Sequence, residues 1–263
     1  MPAYFTPSRL PPAIVALIVI AMLVHGPIPQ PADYHLFADQ SRLAGIPHAA
    51  DVLSNLGFAV AGIAGFGVLW PRRNSLAIRI AWPGYALFLA ALILTAAGSG
   101  YYHLAPDDAR LVWDRLPIGL ACAGLLAGVR ADTLPGINAA FESKLLGVFA
   151  LASVLWWYYG GGDLRPYLLL QILPLVLIPI WQSLAKVPCA ERLWFAAGLA
   201  CYVLAKVAEL NDHEIARASG WITGHTLKHL LATVAAALIV MALVRRTRAM
   251  TVSPETLTTE HQP

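Results

Sequence analysis

Charged residues are scarce in this sequence. Asp, Glu, Lys and Arg make up only 13% of its 263 residues, whereas 58% are hydrophobic. An ordinary soluble domain carries roughly one-quarter charged residues, so the composition predicts a polytopic membrane protein instead. The formal net charge is only +3, which is better explained by charged loops beside membrane helices than by a nucleic-acid partner.

Cysteine is also scarce. The three cysteines, Cys122, Cys189 and Cys201, are scattered through apolar runs without a CxxC pair. This spacing indicates neither a disulfide framework nor a thiolate zinc site. We interpret them as small buried hydrophobic residues.

Long apolar runs, by contrast, fill most of the chain. Each is near the length of a helix that spans a bilayer, so the sequence predicts an all-α, seven-transmembrane-helix bundle. The seven runs cover approximately 52–70, 82–102, 114–130, 144–159, 164–184, 190–209 and 223–244. Prolines inside the fifth run, at Pro166, Pro174 and Pro179, predict kinks.

A further apolar run precedes the seven, at residues 10–25. It could be a signal peptide, but residues 25–29 offer no small-x-small cleavage site, so we expect an extra, uncleaved N-terminal helix. The predicted organisation is therefore an N-terminal hydrophobic helix or signal anchor at 1–30, a membrane domain at 31–246 and a polar tail at 247–263. Residues 31–51 are predicted to form a polar loop outside the membrane.

Lys and Arg predict the orientation, because short cytoplasmic loops are enriched in them. They cluster at alternate ends of the seven runs, namely at Arg72, Arg73 and Arg79, at Arg130 and Lys144, at Lys186 and Arg192, and at Arg245, Arg246 and Arg248. The C-terminus is then cytoplasmic. The loop at 31–51 lies on the outer face, which is extracellular, periplasmic or lumenal.

Two histidines open the last apolar run. His225 and His229 are four residues apart, so a helix places both imidazoles on one face, within reach of one metal ion. Ionisable residues are costly inside a membrane and mark functional sites. Histidines that merely hydrogen-bond across the bundle would give the same pattern.

Three more polar residues are expected at the same depth as this pair. His103 ends the second of the seven helices, Ser99 lies four residues before it, and Asp114 opens the third helix. With the predicted topology, all of them lie in the outer half of the bundle. Singly, each has a simpler interpretation, since His103 could be interfacial, Ser99 a packing residue and Asp114 an ion-pair partner of Arg110 or Arg115.

Three imidazoles with an open fourth position are a common form of catalytic zinc site. Zinc allows water to lose a proton near neutral pH. Asp114 could accept that proton or orient a histidine, and Ser99 could donate a hydrogen bond to an oxyanion.

The combined pattern resembles the superfamily of alkaline ceramidases, adiponectin and progestin receptors, and Per1-like membrane hydrolases. Ser99-x-x-x-His103, Asp114 and His225-x-x-x-His229 match its signature, and the spacing of the first three looks most like the alkaline ceramidase branch. The segment Asp51-Val52-Leu53-Ser54-Asn55-Leu56 resembles the start of that branch's first core helix. The likeness covers roughly residues 33–244.

The resemblance implies a zinc-dependent hydrolase of ceramide-like lipids, which releases a fatty acid and a sphingoid base or other amine. His103, His225 and His229 would be the zinc ligands, Asp114 would activate water and Ser99 would stabilise the oxyanion. Animal members carry a calcium site in an acidic N-terminal segment, but here only Asp33, Asp39 and Asp51 are available, with His48 near the expected glutamate. Calcium takes six to eight oxygen ligands, so we assign no calcium site.

Two other functions fit the same residues. One is a receptor-like or lipid-binding member of the superfamily with little hydrolysis, and the other is a transporter or a membrane haem protein with two histidine ligands. Two polar clusters lie outside the site, and both are interpreted as structural. They are an Asp163/Arg165 pair, and a Lys206/Glu209 pair on one helix face beside an outer loop. No pattern predicts the oligomeric state.

Overall fold

The computed structural model describes residues 9–249. It contains ten α-helices and one short β-hairpin, and its helices are α1 (Leu10–His25), α2 (Ala49–Ser54), α3 (Leu56–Leu69), α4 (Trp82–Leu104), α5 (Asp108–Thr133), α6 (Ala139–Tyr159), α7 (Arg165–Leu184), α8 (Cys189–Leu210), α9 (Asp212–Ser219) and α10 (Gly224–Ala249). The hairpin pairs β1 (Arg42–Leu43) with β2 (Ile46–Pro47).

Seven helical segments in the described range are long and apolar enough to cross a membrane. The first combines α2, α3 and a 3-10 turn over Ala49–Arg72, and the others are α4, α5, α6, α7, α8 and α10. The predicted all-α, seven-helix membrane bundle is thereby confirmed. The extra helix α1 has 16 residues, and Arg165 of α7 donates a hydrogen bond to the carbonyl of Met22.

Local sequence signals explain where several helices begin. The Asp107 side chain caps α5 by accepting from the Arg110 N–H, and Asn138 caps α6. These are favoured N-cap residues, because their oxygens satisfy backbone donors that the first turn leaves free. Two of the predicted kink residues, Pro174 and Pro179, lie inside α7.

Small residues bring α4 and α5 close together. A Cβ atom added at Gly84 would lie 2.3 Å from the Gly128 nitrogen, and one added at Gly124 would lie 2.5 Å from the Phe88 nitrogen. Glycine is therefore required at this crossing, where the two backbones touch. The close packing aligns the end of α4, which carries His103, with the start of α5, which carries Asp114.

The segment between α1 and α2 covers one end of the bundle, which we call the loop end. Leu164 at the start of α7 donates to the Ile28 carbonyl, and the Ala38 N–H donates to Asp212. The hairpin turn places Ala44 and Gly45 at positive φ angles of 50° and 84°, as a two-residue hairpin turn requires. The loop end therefore gathers the ends of α4 and α8 and the starts of α5, α7 and α10.

The opposite end, which we call the arginine end, is held by ion pairs. Arg246 near the end of α10 lies 2.7 Å from Asp132 and 3.2 Å from Glu191. Helix α10 continues through Ala249, so the first three residues of the predicted tail are helical and Thr247 is buried. The rest of the predicted tail, residues 250–263, lies outside the described residues. Placement of the arginine end in the cytoplasm stays a prediction.

Candidate metal centre

Three buried histidines meet near the loop end. His103 comes from the last turn of α4, and His225 and His229 come from the first turns of α10. One ligand nitrogen from each lies within 4.8 Å of the other two, and no ring is more than 3% exposed. The ring centroids form a nearly equilateral triangle, with sides of 4.7, 4.8 and 5.1 Å. The predicted convergence of these three residues is confirmed.

The hydrogen bonds of the cluster leave nitrogens of His103 and His229 free for a metal. Ser54 donates to the Asp51 carbonyl, so its oxygen can accept from Nδ1 of His229, which is 2.8 Å away. Nε2 of His229 and both nitrogens of His103 are buried without a hydrogen-bond partner in the described range. Buried polar atoms almost always have partners. The donor set and the unpartnered nitrogens therefore fit a bound metal ion.

Asp51 also stands beside the cluster, a position that its sequence context did not predict. Its Oδ1 accepts a 2.6 Å hydrogen bond from Thr226, and its Oδ2 lies 4.0 Å from Nδ1 of His103. Its side chain is fully buried. At 4.0 Å the two atoms form no hydrogen bond, but carboxylates beside metal-binding histidines commonly orient the ring. The sequence feature that could have indicated this role is the presence of an acidic residue, Asp51, in the first turn of a membrane helix.

A buried lysine was also missed. Lys228 lies between the two histidines of α10, with its Nζ 3.2 Å from Nε2 of His225 and 2.6 Å from Glu209. The predicted Lys206/Glu209 pair is confirmed at 2.8 Å. Both residues belong to α8, as the predicted run 190–209 implies, and Glu209 also pairs with Lys228 inside the bundle. The histidine cluster therefore has an ammonium group beside it.

Ser99 and Asp114 are buried near the same cluster. They are 1% and 3% exposed, and Ser99 Oγ and Asp114 Oδ1 have no hydrogen-bond partner among residues 9–249. Asp114 forms no ion pair with either neighbouring arginine in that range. Arg110 pairs with Asp107, and Arg115 donates to Gln30. The simpler interpretation of Asp114 as an ion-pair residue is therefore excluded.

Two cavities adjoin the histidine cluster, one at His229 and the other at His225. The first, the apolar cavity, has a volume of about 110 Å³ and is lined by Ser99, Asp114, Lys228 and His229 among mostly aliphatic side chains. The second, the vestibule, has a volume of about 580 Å³ and is lined by His225 and by several charged and aromatic residues. Gln171 and Lys206 line both. The cluster therefore stands where an apolar space meets a polar one.

Phe37 covers the cluster from the loop end. Its ring centroid lies 4.7 Å from that of His103 and 4.4 Å from that of His225, and the residue is 6% exposed. The two acidic residues of the same loop, Asp33 and Asp39, have other environments. Asp39 accepts from the backbone N–H groups of Ser41 and Asp51, and Asp33 is exposed. Phe37 also lines the vestibule, and His103 and His225 behind its ring are only 0% and 3% exposed.

The chain matches no protein-family model, no curated protein and no solved structure. The site is therefore interpreted from its own geometry. Of the five predicted site residues, the three histidines form the cluster, and Ser99 and Asp114 line the cavity that His229 also lines.

Proposed function

We propose that this chain is a zinc-dependent membrane amidohydrolase that cleaves ceramide-like N-acyl lipids into a fatty acid and a free sphingoid base or other amine. One observation carries the proposal. A buried cluster of three histidines lies at the junction of an apolar cavity and a polar vestibule. An N-acyl lipid has its amide bond at the same kind of junction, between a hydrocarbon chain and a polar head.

The donor set favours zinc. His103, His225 and His229 would hold the ion, since catalytic zinc is commonly bound by three protein ligands, and imidazole is a preferred one. Bound zinc supplies a Lewis acid that polarises the acyl carbonyl and lowers the pKa of water toward neutrality.

The side chains around the histidines supply the remaining chemistry. Asp114, with an unpartnered buried oxygen, accepts the proton that water loses as its oxygen bonds to the acyl carbon. The C–N bond then breaks, and the proton passes to the amine nitrogen. Ser99 and Lys228 line the same cavity and can donate hydrogen bonds to the acyl oxygen as it gains negative charge.

The two cavities suit an amphiphilic substrate. An engineered apolar cavity of ~150 Å³ binds benzene, so the apolar cavity, at about 110 Å³, accommodates the first few carbons of an acyl chain beside the amide. The larger vestibule receives the polar part. Both lie within a bundle of membrane-spanning length, where lipids are the available substrates.

The resemblance to alkaline ceramidases supports the same conclusion. It rests on Ser99, His103 and Asp114 and on the two histidines of α10, all of which border the apolar cavity, the vestibule or the histidine cluster. Amide hydrolysis is the activity that this resemblance implies. The proposal does not include calcium.

The arrangement of the three histidine rings argues against a haem protein. Two axial histidines lie on opposite faces of a flat macrocycle. Because the three rings form a nearly equilateral triangle, the third imidazole would occupy the plane of the macrocycle for any choice of axial pair. The receptor-like alternative shares the metal site and differs in turnover.

Metal analysis of the purified protein, combined with fatty-acid release from a panel of ceramides and simpler N-acyl amides, tests the proposal. We expect one zinc per chain and release of fatty acid from at least one amide. Stoichiometric zinc without release from any amide would favour the receptor-like function. Absence of zinc together with a Soret band would favour the haem protein.

A further inference from the structure

Arg115 is a buried cation without an anionic partner. It is 2% exposed, and it forms no ion pair within 4.0 Å in the part of the chain that the structure describes. Nη2 donates a 2.7 Å hydrogen bond to the neutral side chain of Gln30, while Nε and Nη1 are buried without partners. Burying a charge is costly unless a partner compensates it. The arrangement is that of a site whose anion comes from outside the chain.

Aromatic rings hold the guanidinium in place. Its carbon lies 4.0 Å from the ring centroid of Trp157, 5.1 Å from that of Tyr34 and 5.4 Å from that of Tyr167. Cation–π contacts of this kind attract the charge to the ring faces. They cannot satisfy N–H groups in the guanidinium plane, which remain available to a carboxylate or phosphate.

The acids near Arg115 are already used. Glu209 lies between Lys206 and Lys228, Asp212 accepts the backbone N–H groups of Ala38 and His225, and Glu214 pairs with Arg217. All three acids line the vestibule with Arg115, as does Asp33 at its exposed rim. The vestibule therefore contains several acidic groups, but none of them pairs with Arg115. Among the described residues that line it, Arg115 is the cation that has no carboxylate partner.

Arg115 and Asp114 are adjacent in the chain but line different cavities. Consecutive residues on a helix point about 100° apart, and here Asp114 lines the apolar cavity while Arg115 lines the vestibule. His225 lines the vestibule as well. A molecule whose amide lies at the histidines and whose polar part extends into the vestibule therefore shares that cavity with Arg115.

We infer that the substrate carries an anionic group, a carboxylate or a phosphate, on the amine side of its amide bond, and that Arg115 binds this group. The inference rests on the proposed function for the position of the amide. It narrows the substrate from any N-acyl lipid to the anionic members of that class. Lys206, at the boundary of the two cavities, adds positive charge to the same region.

Three probes with one acyl chain test this inference. N-Decanoylglycine carries a carboxylate, N-decanoylethanolamine phosphate a phosphate, and N-decanoylethanolamine no charge. Fatty-acid release and the rise in Tm on binding are measured for each with metal-loaded protein in a neutral detergent. We expect one of the anionic probes to be preferred in both assays, about ten- to a hundredfold in kcat/KM, as for a hydrogen bond to a charged group.

Variants show whether Arg115 causes the preference. Arg115→Met should abolish the preference for the anionic probe, whereas Arg115→Lys, which keeps the charge, should retain part of it. Arg110→Met is the matched control, because Arg110 is on the same helix and pairs with Asp107 outside the vestibule. It should leave the preference intact.

The inference and the proposed function fail in different ways. Hydrolysis of the neutral probe as fast as the anionic ones, with equal shifts in Tm, would overturn the inference and leave the amidohydrolase standing. No hydrolysis of any probe would contradict the amidohydrolase, while the shifts in Tm would still support or overturn anion binding. If Arg115→Met does not fold, equal responses of the wild-type protein to charged and neutral probes would still overturn the inference.

Discussion

Oδ2 of Asp51 lies 4.0 Å from Nδ1 of His103, and both side chains are fully buried. The other oxygen of Asp51 is anchored by Thr226, one residue after His225. This carboxylate therefore links the first membrane segment to both helices that carry the histidines. Its negative charge lies next to the His103 ring, a position from which carboxylates near metal-binding histidines commonly orient them.

We expect Asp51→Asn to weaken metal binding about 10- to 100-fold, the usual effect of removing a carboxylate beside a metal-binding histidine. Asparagine still accepts from Thr226, so the link between helices is retained. Metal affinity is measured by competition with a chelator. Asp132→Asn, which loses an ion pair at the arginine end, is the control and should bind metal normally. Equal affinity in the Asp51 variant and the wild type would remove Asp51 from the metal site.

His229→Ala should abolish metal binding and activity together. Its Nε2 is buried and unpartnered, while Nδ1 lies 2.8 Å from Ser54. Alanine has no atom that could bind the metal in place of Nε2. Metal content per chain is the measurement. His25→Ala, at an exposed residue of α1, should retain full metal. A His229 variant that keeps stoichiometric zinc would show that the ligand set is wrong.

Asp114→Asn should keep the metal and lose turnover. On the proposed mechanism Asp114 accepts a proton, and general-base catalysis contributes about 10²–10⁴-fold in rate. Metal content and kcat are measured on the same sample. Asp107→Asn, at the half-exposed N-cap of the same helix, is the control, because asparagine caps a helix as well as aspartate does. An unchanged kcat in the Asp114 variant would exclude it from the chemistry.

Asp163 should make stability depend on pH in acid. Burial raises the pKa of Asp163, but hydrogen bonds from Arg165, Trp156 and the Ile28 N–H outweigh this and hold the pKa well below its usual value. A lowered pKa in the folded state stabilises the protein above the unfolded-state pKa of about 4, and this contribution is lost as pH falls through the folded-state value.

The corresponding measurement is Tm between pH 7 and pH 3 in detergent. Wild-type protein should be more stable than Asp163→Asn at pH 7, and the difference should shrink below about pH 4. Glu214→Gln provides the comparison, since its exposed pair with Arg217 contributes little. A difference in Tm that stays constant down to pH 3 would show that the Asp163 charge is not the cause.

Helix length, periodicity and loop charge were enough to predict that five polar residues lie at one depth of the bundle. Ser99 and His103 are one turn apart on α4, as are His225 and His229 on α10, and these spacings follow from local geometry alone. Asp51 and Phe37 could not be predicted in this way. The contact between Asp51 and Thr226 joins residues 175 positions apart, and it exists only because the first membrane segment packs on α10.

Arg115 illustrates a second limit of the sequence. Its neighbour in the chain, Asp114, suggests an ion pair, but adjacent helical residues point in different directions. The hydrogen-bond partner of Arg115 is Gln30, 85 residues away, and its ring contacts come from three other segments. Spacing along the chain gives the depth of a charged residue in the bundle. The direction in which it points depends on the tertiary packing.

Lys228 and Glu209 should show strong coupling in stability. Their ion pair is 2.6 Å long, with side chains 9% and 14% exposed. Lys228→Met breaks this pair and should lower the free energy of unfolding by about 1.5–3 kcal/mol, the usual worth of a hydrogen bond to a charged group, because Lys206 still pairs with Glu209. Glu209→Gln removes the same contact from the other side, so the loss in the double variant should be smaller than the sum of the two single losses. Tm values for both single variants and the double variant complete the cycle. Losses that simply add in the double variant would refute the coupling. The control is the pair Lys206→Met and Glu214→Gln, whose side chains do not touch, and their losses should add.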